Sequence, residues 1–164
     1  MTTCPDCGYE NIPGAEECEG CQQSLSQLFR TTPSDGIERS IIKDRIEKLP
    51  PRAAVIVDAE SRVDEVLRTM VEQRSGCALV TAGGALVGIF TERDALLKLG
   101  AEAASLSDKS VADFMTPSPE TLRASDKIAF ALHKMDLGGY RHIPILDELG
   151  QIAGVVSIRD ILRY

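Results

Sequence analysis

Tryptophan is absent from this 164-residue chain, and aromatic residues make up only 4% of it. Hydrophobic residues still reach 43%, so the sequence predicts a core of aliphatic side chains. Long apolar runs are also missing, and none approaches the roughly 18 residues that span a bilayer. The first residues have neither the charged start nor the apolar stretch of a secretory signal. We therefore expect no membrane association and a cytoplasmic location.

Positive charge is scarce in this sequence. The chain contains 18 Lys and Arg residues and 25 Asp and Glu residues, which gives a formal net charge of -7. An acidic chain repels nucleic-acid backbones and anionic membranes alike. Non-specific binding to either surface is therefore not expected.

Four of the five cysteines form two Cys-x-x-Cys pairs, separated by ten residues: Cys4 with Cys7, and Cys18 with Cys21. This spacing is typical of four thiolates around one structural Zn²⁺. So short a segment has no room for a hydrophobic core, so the metal must supply its stability. Iron, redox or disulfide chemistry is the alternative for these cysteines. Cys77 stands in an apolar run and is expected to be a small buried hydrophobe.

One seven-residue pattern occurs twice, at residues 88–94 (GIFTERD) and 154–160 (GVVSIRD). Each copy closes a short apolar run and opens a helical one. The surrounding segments each read as strand, helix, strand, strand, helix, which predicts a duplicated α/β body in a pseudo-two-fold arrangement. An amphipathic helix over residues 37–49 precedes them. Hydroxyl side chains at four helix starts are the predicted N-caps: Ser61, Thr91, Ser125 and Ser157.

Residues 113–117 (DFMTP), 140–145 (YRHIPI) and both copies of the seven-residue pattern point to a family. Over roughly residues 37–164 the sequence resembles a tandem pair of cystathionine-β-synthase (CBS) domains, also called a Bateman module. The N-terminal segment resembles a small zinc ribbon. The resemblance implies an α/β (α+β) fold with a Cys4 ribbon at residues 1–24, a linker at 25–36, a first CBS repeat at 37–105 and a second at 106–164.

The resemblance also implies a function. CBS pairs bind adenosine-containing ligands in clefts between the repeats, and AMP, ADP or ATP is the expected ligand here, with S-adenosylmethionine and NAD(H) as alternatives. Ligand binding is normally signalled to a protein partner, which the sequence does not identify, and homodimers are common. The chain offers no nucleophile–base pair, so a regulatory protein rather than an enzyme is expected.

The repeated pattern suits such a ligand on physical grounds. A helix start attracts phosphate, and Thr91 or Ser157 adds a hydroxyl there. Asp94 or Asp160, one turn further, can accept both hydroxyls of a ribose. Gly88 and its counterpart Gly154 leave room for close approach of a ligand to the backbone. The same hydroxyl–carboxylate pairs are also capping boxes, so helix capping alone is the competing interpretation.

The two halves differ where a phosphate would lie. Arg141 and His142 in the second half align with Gly76 and Cys77 in the first. Arginine forms bidentate bonds with phosphate, so the site at Asp160 is expected to prefer a phosphorylated ligand. The site at Asp94 should be weaker, empty or suited to a less charged ligand. A surface ion pair for Arg141 and a core position for His142 remain alternatives. The resemblance suggests four residues for the adenine slot: Thr116, Pro117, Ile143 and Pro144.

Two other functions remain open. The first is a nucleic-acid-associated regulator in which the ribbon reads the nucleic acid. The charges of residues 1–35 argue against it, because this segment contains six acidic residues and Arg30 is its only Lys or Arg residue. Contact with a protein is therefore the better expectation for the ribbon. A scaffold with vestigial sites is the other, and it predicts no effect of nucleotides on stability.

Overall fold

A computed structural model describes residues 1–12, 14–25, 36–49 and 53–164. The chain divides into two compact units, and both are built from separated segments. Unit 1 comprises residues 1–49, 125–141 and 158–164, and unit 2 comprises residues 50–124 and 142–157. Residues of both predicted repeats contribute to each unit.

The regular elements follow one another in the order expected for a duplicated α/β chain. The helices are α1 (Gly36–Lys43), α2 (Val63–Glu72), α3 (Glu92–Asp94), α4 (Ile128–Gly138) and α5 (Ile158–Leu162). The strands are β1 (Thr2–Thr3), β2 (Glu10–Asn11), β3 (Val55–Asp58), β4 (Cys77–Ala82), β5 (Ala85–Thr91), β6 (Thr116–Pro117), β7 (Leu122–Arg123), β8 (His142–Leu146) and β9 (Ile152–Ser157). Among the residues described, no helix is long and apolar enough to cross a bilayer.

The ribbon in unit 1 is built on a short antiparallel pair, β1 with β2. Cys4, Cys18 and Leu25 are buried together, and the Leu25 N–H donates to the Glu16 carbonyl at 2.7 Å. Leu25 therefore packs with the cysteines of the ribbon. The rest of the predicted linker, up to residue 35, lies outside the described residues.

Unit 1 also contains α1, α4 and α5, and α1 packs against α4. Two backbone bonds join the end of α1 to the start of α4, from the Ile128 N–H to the Asp44 carbonyl at 3.0 Å and from the Ile46 N–H to the Asp126 carbonyl at 2.9 Å. The prediction of one continuous helix over residues 37–49 is therefore wrong. The helix stops at Lys43 because Ile46 bonds to a distant segment, and a separate 3-10 turn follows at Ile46–Lys48.

Unit 2 contains two sheets, ordered β3-β4-β5-β6 and β7-β8-β9. In each sheet a parallel pair is followed by an antiparallel hairpin. The hairpins share their register, with Cys77 opposite Thr91 in one and His142 opposite Ser157 in the other. The register of each hairpin also shifts at equivalent positions, between residues 80 and 81 and between residues 145 and 146. The duplication predicted from the sequence is therefore present in the backbone.

Strand β4 is buried on both faces, which accounts for its uninterrupted apolar sequence. One face, with Ala78 and Val80, packs with Phe90 and helix α2. The other face, with Cys77 and Leu79, packs with Val155 of the second sheet. Cys77 is thus the small buried hydrophobe that the sequence predicts.

Two of the predicted helix caps are wrong. The N-caps of α2 and α4 are Arg62 and Lys127, and neither side chain caps its helix. In α2 the free N–H groups of Val63 and Asp64 donate to the carbonyls of Lys109 and Ser107, each at 3.0 Å. Backbone carbonyls from other segments thus replace the hydroxyls expected from Ser61 and Ser125.

Candidate functional site

The four ribbon cysteines converge on one point. Their sulfur atoms all lie within 4.8 Å of one another, with Cys4 and Cys21 separated by 3.6 Å and Cys7 and Cys18 by 3.5 Å. A tetrahedral Zn²⁺ with bonds of about 2.3 Å places its sulfur ligands about 3.8 Å apart. The donor set and its spacing therefore fit a structural zinc ion.

The two cysteine knuckles have the same backbone. The Gly8 N–H donates to the Cys4 carbonyl at 3.0 Å, and the Gln22 N–H donates to the Cys18 carbonyl at 2.8 Å. Gly8 and Gln22 both have positive φ, 74° and 61°. Gly20 is required for a different reason, because a Cβ there would lie 2.9 Å from the Cβ of Tyr9. The repeated knuckle points all four thiols inward.

The electrostatics of the cluster favour a cation at its centre. Burial opposes ionisation of Cys18, but N–H donors from Cys21 and Gly20 and the Asn11 amide lower its pKa to about 6. For Cys21 an N–H donor from Gln23 favours the thiolate, yet burial and the neighbouring thiols raise its pKa to about 12. One thiolate thus forms readily, whereas four adjacent thiolates require a positive ion between them.

In the first half, Thr91 and Asp94 form a complete capping box at the start of α3. The Asp94 N–H donates to the Thr91 hydroxyl at 3.2 Å, and the Thr91 N–H donates to Asp94 Oδ2 at 3.0 Å. The Thr91 hydroxyl also donates to Asp94 Oδ2 at 2.6 Å. The capping role weighed in the sequence analysis is therefore present. The helix continues as a π-helical turn to Leu99 and ends at Gly100.

The other oxygen of Asp94 is held by residues that the sequence analysis did not assign to this half. Its Oδ1 accepts the Thr116 hydroxyl at 3.1 Å and the Lys98 ammonium at 2.8 Å. Burial alone would raise the pKa of the Asp94 carboxyl, but Lys98, Thr91 and Thr116 together hold that pKa below its usual value. Sequence reasoning missed Lys98, although its spacing of four residues from Asp94 on a helix was a usable signal.

The space expected beside Gly88 is already filled. The sulfur of Met115 lies where Gly88 would carry a Cβ. Strand β6 follows Met115 directly and pairs with β5, with Pro117 opposite Gly88 and Thr116 opposite Ile89. The expectation that Gly88 leaves room for a ligand is therefore wrong for this conformation, because the chain itself uses that room.

In the second half, Arg141 lies at the start of α5, and both belong to unit 1. The Ile158 N–H donates to the Arg141 carbonyl at 3.0 Å, and Asp160 follows two residues later on the same helix. The equivalent bond in the first half joins the Glu92 N–H to the Gly76 carbonyl at 3.1 Å. Arg141 is exposed and Asp160 is half-buried. A cation and a carboxylate thus flank one helix start, where the first half has Gly76 in place of the cation.

The remaining predicted residues lie in unit 2. Ser157 ends β9 and is buried, as are Ile143 and Pro144 in β8. The half-buried His142 ring lies against Gly76, where an added Cβ would be 3.1 Å from both Cε1 and Nε2. Thr116 and Pro117 are exposed and belong to the first sheet through β6. The structure thus brings Thr116 to Asp94.

A family model of the CBS domain matches residues 46–101 and 111–164 of this chain. Among curated proteins, the CBS domain-containing protein CBSCBSPB1 of Arabidopsis thaliana is 32% identical over 153 residues, which cover 90% of this chain and 27% of the relative. The chain therefore spans about a quarter of the length of that relative.

Solved structures of CBS domain proteins are also similar to this chain over most of its length. The CBS domain protein PAE2072 from Pyrobaculum aerophilum, complexed with AMP, has a TM-score of 0.63 and 29% identity over 71% of this chain and 88% of its own. CBSX2 in complex with AMP has a TM-score of 0.61 and 26% identity over 73% of this chain and 93% of its own.

Replacement of one ribbon cysteine tests the metal site. Cys18→Ser should reduce bound zinc from one ion per chain to well below one, because a closed tetrahedral site loses a thiolate ligand. Mass spectrometry of the purified protein measures the zinc content. Cys77→Ala is the matched control and should keep the full ion. Equal zinc content in the Cys18 variant and the wild type would rule out this metal centre.

Acid titration tests the Asp94 network. A lowered folded-state pKa means that ionised Asp94 stabilises the fold above the unfolded value, about 3.9, and that this contribution disappears as pH falls through the folded value. Asp94→Asn should lower the free energy of unfolding at pH 7 by about 1–3 kcal/mol and flatten its decline in acid. Urea unfolding from pH 7 to pH 3 measures both effects.

The control for this experiment is Asp64→Asn, which removes a carboxylate that pairs with Arg62 at 3.1 Å and with Arg68, four residues away, at 3.9 Å. Both arginine side chains are more than half exposed, so loss of these pairs at pH 7 should change stability by less than about 0.5 kcal/mol. An equal loss in the two variants would show that the Asp94 contacts add nothing beyond those of a surface pair.

Proposed function

The chain belongs to the CBS domain family, and we propose that it is a regulatory module that binds an adenosine-containing ligand through its second half. The main observation in support of this proposal is that Arg141 and Asp160 both lie at the start of α5 in unit 1. The two AMP-bound relatives support a nucleotide of this kind. AMP is the simplest ligand that offers both a ribose and a phosphate.

Each residue has a distinct role in the proposed site. The Asp160 carboxylate accepts the two hydroxyls of the ribose, and charged hydrogen bonds of this kind are worth about 1.5–3 kcal/mol each. Arg141 is an exposed residue whose carbonyl accepts the first N–H of the same helix, and its guanidinium pairs with the phosphate as a planar fork. The helix start itself adds positive potential for the phosphate.

The ribbon is proposed as the structural zinc domain of this module. Its described surface carries Asp6, Glu10, Glu16, Glu17 and Glu19, and four thiolates around one Zn²⁺ add about two further negative charges. When bound, zinc would supply the folding energy that a segment of this size lacks. This charge favours contact with a protein over contact with a nucleic acid.

A regulatory role fits the chemistry better than a catalytic one. The Asp94 carboxylate of the repeated pattern acts as a hydrogen-bond acceptor and is engaged by Thr91, Thr116 and Lys98. A group held as an anion by a cation and several donors is a poor proton acceptor near neutral pH. Ligand binding that changes stability or partner contact is therefore the proposed output.

Titration with two ligands tests the proposed site. AMP should stabilise the protein and bind with a dissociation constant that Asp160→Asn raises by about tenfold to a hundredfold, because charged bonds to the ribose are lost. Arg141→Gln should weaken AMP but leave adenosine unchanged, because adenosine has no phosphate. Calorimetry and thermal unfolding measure these effects.

Asp136→Asn is the matched control, since Asp136 is an exposed carboxylate on the neighbouring helix α4. It should bind AMP like the wild type. Equal AMP affinity in Asp160→Asn and Asp136→Asn would remove Asp160 from the site. Binding of neither ligand by the wild type would refute the proposed function.

We further propose that the chain forms a homodimer through an apolar face of unit 2. Val71 on α2 is 77% exposed, and Leu96 and Leu97 after α3 are each 74% exposed. Large apolar side chains exposed to this extent are typical of an interface. A second copy of the same face would bury them symmetrically.

Sedimentation equilibrium tests the dimer. The wild type should sediment with twice the mass of one chain, and a double substitution Leu96→Asp and Leu97→Asp should sediment as a monomer, because two buried charges would repel across the interface. Leu149→Asp, at an 85% exposed position in a hairpin turn, is the control and should remain dimeric. A monomeric wild type at high concentration would reject this interface.

A further inference from the structure

The Asp94 carboxylate has its hydrogen-bonding capacity filled by the chain itself. Oδ2 accepts the N–H and the hydroxyl of Thr91, at 3.0 and 2.6 Å. Oδ1 accepts the hydroxyl of Thr116 at 3.1 Å and the ammonium of Lys98 at 2.8 Å. A carboxylate has about four acceptor positions, two on each oxygen. A ribose therefore reaches Asp94 only by displacing one or more of these donors.

Lys98 is engaged as completely as Asp94. Besides Asp94, its ammonium donates to the carbonyls of Phe114 at 2.7 Å and Met115 at 3.0 Å. Three acceptors for three N–H donors fix the ammonium in place. Lys98 thus ties the segment that enters β6 to the carboxylate at the start of α3.

The same segment fills the space beside the strand. Met115 packs on Gly88, and Thr116 and Pro117 pair with β5. Residues 114–117 therefore occupy two features expected of a ligand site in this half, the carboxylate and the clearance at Gly88, and they also pair with the edge of β5. Removing them would break the backbone pairing with β5, the hydrogen bonds to Asp94 and Lys98, and the packing of Met115 on Gly88 together.

Resting on the proposed function, we propose that Lys98 and residues 114–117 form an internal latch that closes the first-half site, so that each chain binds one adenosine ligand instead of two. Lys98 is the specificity-determining residue of this latch, since its ammonium pairs with Asp94 while it holds the carbonyls of residues 114 and 115. The corresponding position in the second half, four residues after Asp160, is Tyr164. Its hydroxyl donates to Asp44 Oδ2 at 2.6 Å within unit 1.

The asymmetry has a simple physical origin. An ammonium on the first carboxylate competes directly with ribose hydroxyls, which are neutral and make weaker bonds to an anion. A tyrosine at the matching position brings no positive charge. The two halves thus place different side chains, Lys98 and Tyr164, four residues after their matched carboxylates.

Calorimetric titration with AMP tests the stoichiometry. The wild type should bind one AMP per chain, and Asp94→Asn should leave that isotherm unchanged. Lys98→Met keeps the length of the side chain but removes its charge and should reveal a second binding event. The double variant Lys98→Met with Asp94→Asn should lose the second event. Two sites in the wild type, or one site in Lys98→Met, would overturn the proposal.

A measurement without ligand separates the latch from the proposed function. Lys98→Met and Asp94→Asn form a double-mutant cycle in urea unfolding, and the coupling should change the unfolding equilibrium constant at least about threefold. Arg68→Met with Asp64→Asn is the matched cycle, because its ion pair has the same spacing but is exposed and 3.9 Å long. That control should show no coupling beyond error.

The two experiments fail in different ways. If AMP binds nowhere but Asp94 and Lys98 are coupled, the nucleotide function is refuted and the latch is a structural contact only, so the single-ligand proposal falls with it. If AMP binds and the coupling equals that of the control pair, the function survives and the latch is refuted.

Discussion

The pairing of strand β5 is the constraint on which the first half depends. β5 lies inside its sheet, so its backbone needs a partner at each edge. β4 supplies one partner, and the two residues of β6 supply the other. Because β6 begins directly after Met115, this pairing places Met115 against Gly88 and the Thr116 hydroxyl within hydrogen-bonding distance of Asp94. The contacts of the candidate site therefore follow from backbone hydrogen bonding before any ligand is considered.

The two halves share a backbone but differ in their charges. Their hairpins have the same register and shift at equivalent positions, and each final helix begins with a bond to the segment before the hairpin. At two equivalent positions the side chains differ. Gly76 in the first half corresponds to Arg141 in the second, and Lys98 corresponds to Tyr164. In the first half Lys98 pairs with the Asp94 carboxylate, and in the second half Arg141 lies at the start of the helix. The halves therefore keep one backbone frame and differ in the side chains at these positions.

Sequence reasoning succeeded where the determining interactions are local. The β4–β5 hairpin, the Thr91 capping box and the convergence of four cysteines all depend on residues close together in the chain. It failed where distant segments compete for the same backbone groups. The starts of α2 and α4 bond to carbonyls far away in sequence, and this removed the need for Ser61 and Ser125 as caps. The helix predicted over residues 37–49 ended early for the same reason.

By itself the sequence determined the duplicated α/β pattern, the apolar faces and the metal-ligand set, because spacing along the chain dictates which side chains share a face or a knuckle. Only the tertiary structure decided what surrounds Asp94. Spacing predicts its pairing with Thr91 and allows one with Lys98, but the arrival of Thr116 and the 114–115 carbonyls depends on a strand pairing between separated segments. Whether a carboxylate is available to a ligand depends on all of its neighbours, and a linear pattern records only the nearest ones.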